Sequence, residues 1–216
     1  MNTAHPTFDR SYFHGRDSNY LFGYDCLAAR IFWSRRVRLV RQLAQTGSRL
    51  VDVGCAFGFF LKHLDGCYET YGVDISEYAI ERARRILKFQ DRIRCADVER
   101  GIPFPGSFDV ITAFDIVEHL QDPPAAFAQF SRVLRPTGCL VLEFPTGAPW
   151  IDRDASHRYQ SLPHWIALLE RAGFHLMWAR GFWTIGWRTM VVPSHRRANY
   201  YQIVARLSPM PLRGVS

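Results

Sequence analysis

Lysine is nearly missing from this chain of 216 residues. Lys62 and Lys88 are its only two, and arginine carries the rest of the positive charge behind a formal net charge of +7. An arginine bias can reflect the base composition of a genome as readily as function, so the charge alone does not indicate a nucleic-acid partner. Paired cysteine spacing is missing too. Cys26, Cys55, Cys67, Cys95 and Cys139 are odd in number, scattered, and nowhere form C-x-x-C. That argues against a disulfide framework or a cysteine zinc site and fits a reducing compartment. The segment MNTAHPTFDRSYFHGRDSNY at the start lacks the apolar core of a secretory leader, and no apolar run approaches the length of a membrane span. The expectation is a cytoplasmic protein without a membrane span. Repeats and low-complexity tracts are absent as well. With 48% hydrophobic residues, the chain can bury one sizeable core and needs no second domain. The expected organisation is a single domain: an N-terminal cap and helix over 1–47, a core over 48–207 and a tail over 208–216.

What the chain does contain is an alternation of strand-like and helix-like patterns from Arg49 onward. RLVDV, YETYGVD, RIRCAD, FDVITAFD and GCLVLEFP read as strands. EYAIERARRILKF, capped by Ser76, a stretch from about Pro124 to Leu134, and LPHWIALLERAG ending at Gly173 read as helices. FHLMWARG and YYQIVARL close the series as two strands with no helix between them. Ahead of Arg49, CLAARIFWSRRVRLVRQLAQTGS reads as an amphipathic helix with one break. Strands alternating with helices predict a Rossmann-like, doubly wound α/β fold: a mostly parallel seven-stranded sheet with an antiparallel C-terminal hairpin.

Ligands of such sheets sit beyond the carboxyl ends of the strands, where strand order reverses. There the chain runs RLVDVGCAFGFFLKHL, an apolar strand that turns into a helix through Gly54, Cys55, Ala56 and Gly58. Small residues permit both a sharp turn and close approach of a ligand. Asp74 ends the second strand twenty residues beyond Gly54, the spacing of an acid that accepts hydrogen bonds from ribose hydroxyls. The turn lacks the last glycine of G-x-G-x-x-G and places the carboxylate of Asp52 just ahead of it. A carboxylate is a poor neighbour for pyrophosphate and a suitable one for an ammonium group. The ligand predicted is adenosine joined to an amino acid. Alternatively, the glycines mark only a tight turn and Asp74 only a strand-end cap beside Ser76.

In order, VDVGCAFG, GVDIS, CADVE, FDVITAFDIVEHL and RVLRPTGCLVLEFP resemble the motifs of the class I S-adenosylmethionine-dependent methyltransferase family, from about Arg49 to Phe174. The resemblance implies S-adenosyl-L-methionine as cofactor. Asp52, Gly54, Cys55 and Gly58 then border its methionine end, Asp74 and Ile75 its ribose, and Asp97 with Val98 its adenine. Ala56 departs from the family's usual glycine, which is tolerable if its φ stays negative. Asp109, inside SFDVI, is read as structural.

The sulfonium of that cofactor already activates its methyl group, so the protein needs to align an acceptor and, where required, remove its proton. FDIVEHL supplies Asp115, Glu118 and His119 just past the fourth strand. His119 suits a general base for a hydroxyl acceptor. The same letters also fit a capping box between Asp115 and Glu118, and a carboxylate–carboxylate–imidazole set could hold a divalent cation, as in some quinone-pathway O-methyltransferases. Base is preferred here, and no metal is assigned. His157, after the fifth strand, is the second catalytic candidate. Tyr12, Phe13, Tyr20 and Tyr24, with Trp183 and Trp187, could cover an acceptor or pack the core. The expected activity is methyl transfer to a small-molecule acceptor at oxygen. Methylation of RNA, by arginines such as Arg30, Arg35, Arg36, Arg38 and Arg41, is an alternative; no appended nucleic-acid module supports it. A cofactor-binding protein without catalysis is another. No feature of the sequence sets an oligomeric state.

Overall fold

The computed structural model describes residues 8–15, 18–20, 22–147, 154, 156–185, 188–191 and 198–208. Five strands form the parallel part of the sheet, and the central ones, rich in Val, Ile, Leu and Phe, are buried on both faces, the pattern that a parallel sheet covered by helices demands. The five are β1 (Arg49–Val53), β2 (Glu69–Asp74), β3 (Ile93–Cys95), β4 (Phe108–Phe114) and β5 (Leu134–Pro145). All pair in parallel, in the order β3-β2-β1-β4-β5. The order turns back between β1 and β4, and the carboxyl ends of these two strands frame the cleft described below.

Three further strands complete the sheet. β6 (Phe174–Ile185) and β8 (Tyr200–Leu207) lie antiparallel to each other, with β8 inserted between β5 and β6. All seven strands expected from the sequence are present. An eighth, β7 (Arg188–Val191), pairs with β6 at the edge; four residues without alternation carry no strand signal.

Helices cover both faces. α1 (Arg10–Phe13), α2 (Arg30–Leu43), the single turn α3 (Phe59–Lys62) and α4 (Glu77–Ile86) contribute to one core cluster, which takes Leu50 and Val110 from the sheet. α5 (Pro123–Val133) and α6 (Leu162–Arg171) contribute to the other, which takes Val51, Val53 and Ile111. Neighbouring residues of β1 and β4 thus alternate between two cores, as the two-residue period of a strand requires. The helix starts are chemically determined. Ser76 accepts from the Ala79 amide at 3.1 Å, Asp122 from Ala125 at 3.0 Å and Ser161 from His164 at 3.3 Å, with Pro123 and Pro163 in first-turn positions where a missing N–H costs nothing. The break expected in the N-terminal helix falls at Ala29, between a 3-10 turn over Tyr24–Ala28 and α2.

Among the described residues no helix is long and apolar enough to cross a membrane.

Candidate functional site

The turn after β1 is built from residues in the left-handed region. Gly54 has φ +72°, and a Cβ there would stand 1.9 Å from the Ile116 Cδ1. Its amide and that of Cys55 donate to the Val73 carbonyl at 2.8 and 3.1 Å, fastening the turn to β2. Ala56 has φ +46°, where a negative φ was expected. A left-handed alanine costs about 1–2 kcal/mol, offset here by the bond its amide donates to Asp74 Oδ2 at 2.9 Å. Gly58, at φ +74°, faces elsewhere: a Cβ would meet Leu87 Cδ1 at 2.5 Å and Ala83 beyond it. It fits α4 against the turn and is not among the residues lining the cavity.

That cavity has a volume of about 350 Å³, and Asp52, Gly54, Cys55, Asp74, Ile75, Asp97, Val98, His119 and His157 all line it. The fold therefore brings together every site residue expected from the sequence except Gly58. The acids stand at or just beyond the carboxyl ends of β1, β2 and β3. Asp74 is buried; its Oδ1 accepts from the Ser76 amide at 2.8 Å and its Oδ2 from Ala56. Burial raises its pKa, and those amides pull it partly back. Asp52 is buried with, among the described residues, only the Thr112 hydroxyl, 2.6 Å away on β4, as a hydrogen-bond donor, and burial pushes its carboxyl up to about 7.

The opposite wall begins where β4 ends. Asp115 has φ +57°, its amide bonds the Glu143 carbonyl at 2.7 Å, and its carboxylate meets Arg36 Nη2 at 2.6 Å. Arg36 also binds Glu143, which Arg35 and Gln202 hold as well. Burial opposes ionisation of Glu143, but the two guanidiniums outweigh it and keep its pKa low. No capping box forms. The 3-10 turn spans Val117–His119, Ile116 precedes it without a side-chain cap, and Asp115 is committed to Arg36. Glu118 is 1% exposed, and among the described residues neither of its carboxylate oxygens has a hydrogen-bond partner. Burial, aided by the nearby Asp115, raises its pKa well above the usual range.

His119 lies next to this orphaned acid. Its Nδ1 is 2.7 Å from Ser156 Oγ, and the single Ser156 hydroxyl proton is donated to Asp154 Oδ1. The serine oxygen is therefore the acceptor toward His119, so a neutral His119 carries its proton on Nδ1 and its lone pair on Nε2. The His157 ring lies 4.6 Å from that of His119, centre to centre, with its Nδ1 2.7 Å from the Tyr159 hydroxyl. The Arg158 amide donates to the Glu118 carbonyl at 2.8 Å, tying the His157 loop to the Glu118 turn. Glu118, His119 and His157 each offer a ligand atom within 4.8 Å of the others'. Phe8 and Tyr12 pack edge-on against His119, and Tyr12, Phe13, Tyr20 and Tyr24 line the cavity while belonging to or packing on the core. Trp183 is not among the lining residues, and Trp187 lies outside the described residues.

Glu143, Asp154 and Ser156 were not singled out in the sequence, and Arg36 only among arginines weighed for phosphate contacts. Glu143 left a trace, an acid inside the apolar run CLVLEFP; nothing local marks the others. Two arginines considered for phosphate contacts, Arg35 and Arg36, turn inward to Glu143 and Asp115, and Arg82 pairs with Asp25.

Residues 51–142 match the family model described as a methyltransferase domain. The ubiquinone biosynthesis O-methyltransferase of Thiobacillus denitrificans is 33% identical over 97 residues, which are 43% of this chain and 42% of that protein. The chain thus spans less than half the length of this curated relative. An S-adenosylmethionine-dependent methyltransferase from Clostridium acetobutylicum superposes with a TM-score of 0.67 at 12% identity, over 83% of this chain and 92% of that one. The cyclase SpnF superposes with a TM-score of 0.63 at 19% identity, over 81% and 80%. Such distant likenesses show the fold, which serves more than one chemistry. The matched domain spans the strands that frame the cavity, so the match supports the resemblance of this chain to the class I S-adenosylmethionine-dependent methyltransferase family.

Proposed function

We propose that the protein transfers a methyl group from S-adenosyl-L-methionine to an oxygen atom of a small-molecule acceptor. The observation that carries this reading is a single cavity joining the acids beyond β1, β2 and β3 to the imidazoles of His119 and His157. Each Asp74 oxygen already accepts one amide and keeps a lone pair for a ribose hydroxyl. Asp52 offers a carboxylate to the methionine ammonium, and the backbone of Gly54 and Cys55 borders the methionine chain. Ile75, 36% exposed at the cavity, borders the ribose, and Asp97 with Val98 flanks the adenine. Residues 1–47 act as cap, 48–207 as core and 208–216 as tail of one domain.

When bound, the cofactor supplies a sulfonium methyl: the acceptor oxygen's electron pair forms the new O–C bond as the S–C bond breaks and its pair stays on sulfur. The protein aligns that oxygen and assists loss of its proton, which His119 and His157 are placed to receive. Aromatic rings from the N-terminal segment pack against the His119 imidazole, which supports a small acceptor, and the relative named as an O-methyltransferase supports oxygen.

The test is incubation of the protein with methyl-labelled cofactor and fractionated extract of the source cells, followed by mass identification of labelled product. The reading expects an O-methylated small molecule that fails to form with His119→Ala. Label in RNA, or cofactor binding with no transfer to any fraction, would contradict it.

A further inference from the structure

Asp154 lines the cavity and is 6% exposed. A carboxylate buried to that depth is costly unless hydrogen bonds meet it. Its Oδ1 accepts from the Ser156 amide at 3.0 Å and from the Ser156 hydroxyl, and the Tyr12 hydroxyl of the N-terminal segment also hydrogen-bonds the carboxylate. The amide bond by itself is an ordinary Asx turn. A turn does not explain why the same serine oxygen lies 2.7 Å from the Nδ1 of His119, a residue 37 positions earlier on another element.

We propose that Asp154 and Ser156 are positioning residues for methyl transfer: acting through Ser156, Asp154 holds the proton of neutral His119 on Nδ1, so that Nε2 carries the lone pair that takes up the acceptor's proton. The catalytic part of this statement rests on the methyl-transfer reading above; the tautomer does not. A carboxylate only accepts, so it commits the one Ser156 hydroxyl proton to itself and leaves the serine oxygen to accept from His119. When the acceptor hydroxyl gives its proton to Nε2, the imidazolium keeps its Nδ1–H directed at Ser156, and the carboxylate beyond the serine stabilises the new charge. No proton passes along the series: the hydroxyl proton stays on Ser156, and Asp154 takes up none.

Asp154 serves His119 rather than His157. Its Oδ2 stands 3.5 Å from the His157 Nε2, beyond the range of a good hydrogen bond, and the His157 Nδ1 meets the Tyr159 hydroxyl instead. Without the carboxylate, the Ser156 hydroxyl can turn its proton toward the His119 Nδ1. A neutral His119 then carries its proton on Nε2 and has no lone pair to offer there. A tautomer misplaced in this way leaves the shape of a site intact and costs it turnover. Because Tyr12 both bonds Asp154 and packs edge-on against His119, the same acid also joins the N-terminal covering of the cavity to the base.

The experiment is NMR of the full chain labelled in its histidines, at a pH where His119 is neutral. Two-bond couplings show which ring nitrogen carries the proton, and loss of the signals in His119→Gln assigns them. The proposal expects Nδ1 protonated in the wild type and the proton shifted toward Nε2 in Ser156→Ala and Asp154→Ala. Ser156→Thr, which keeps the hydroxyl, should restore the wild-type pattern. S-adenosylmethionine affinity is the control for a folded protein, and Ser156→Ala, at a half-buried position, carries the test where Asp154→Ala does not fold. With methyl-labelled S-adenosylmethionine and the extract fraction that supports transfer, Ser156→Ala should lower kcat about tenfold or more while KM for S-adenosylmethionine holds. A proton on Nε2 in the wild type, a tautomer indifferent to the folded variants, or full turnover by Ser156→Ala would overturn the proposal. The expected tautomer with no methylated product from any fraction would instead sink the methyl-transfer reading and uphold the His119–Ser156–Asp154 arrangement.

Discussion

At the scale of single residues, the site is a set of carboxylates in contrasting circumstances. Glu143 is surrounded by guanidiniums and keeps its charge, while among the described residues Glu118 has no hydrogen-bond partner and Asp52 has one hydroxyl. Burial raises Asp52 from an unfolded value near 3.9 to about 7. Its contribution to stability is therefore fully present below about pH 4 and lost as pH rises through about 7. Because other carboxyls shift in both directions, the informative quantity is a difference: wild type minus Asp52→Asn stability, by thermal or urea unfolding, should decline between about pH 4 and pH 7 and then level off. Cofactor affinity should run the opposite way. An ammonium ligand favours the ionised carboxylate, so calorimetric affinity of the wild type should climb through about pH 7, and Asp52→Asn should flatten that climb.

At the scale of elements, the two glycines of one turn do different work. Gly54 stands against Ile116 on the cavity wall, whereas Gly58 stands against Leu87 and Ala83 of the α4 region. Gly58→Val should therefore cost stability, by about 1–2 kcal/mol for the left-handed backbone alone and more for the collision with Leu87. Its folded fraction should still bind cofactor, as a combined unfolding and binding measurement will show. Gly54→Ala should cost both stability and affinity, because it drives Ile116 toward the ligand; adding Ile116→Ala should recover part of each, a coupling that a double-mutant cycle reads directly. Sequence spacing had placed both glycines at the ligand. Periodicity shows that a strand becomes a helix through a glycine turn, but not which way each missing Cβ would point. The elements themselves were legible, because strands buried on both sides and helices with Ser76 or Ser161 at their starts obey local rules. β7 was not, since Arg188–Val191 is a strand only because β6 supplies its partner. The early start of β5 at Leu134 likewise depends on pairing with Phe108 across a register shift.

At the scale of the whole molecule, Arg36 links the N-terminal helix to the carboxyl ends of β4 and β5. It lies under the rings of Trp33 and Phe114 and bridges Asp115 to Glu143. Removing one partner from a buried ion pair typically costs about 3–5 kcal/mol. Since Arg35 would still hold Glu143 and Asp115 is partly exposed, Arg36→Met should cost somewhat less, measured by urea unfolding, and should loosen the Asp115 wall of the cavity. This tie was invisible in the sequence, where Arg36 is one arginine among many on an amphipathic helix and its partners lie 79 and 107 residues away. For the same reason the sequence offered Asp115, Glu118 and His119 as a helical triad, while in the folded chain Asp115 pairs with Arg36 and His157 comes in beside Glu118 and His119 from a distant loop. The placement of Asp52, Asp74 and Asp97 along one side of the cavity, by contrast, was readable because these acids follow strands that the sequence pattern already located. The most direct test of that cofactor assignment is a calorimetric titration of S-adenosylmethionine into the full chain and into folded Asp74→Asn. Saturable binding by the wild type at one equivalent, weakened by about 1.5–3 kcal/mol in the variant, is the result predicted; no binding by the wild type, or equal affinity in both, would contradict it.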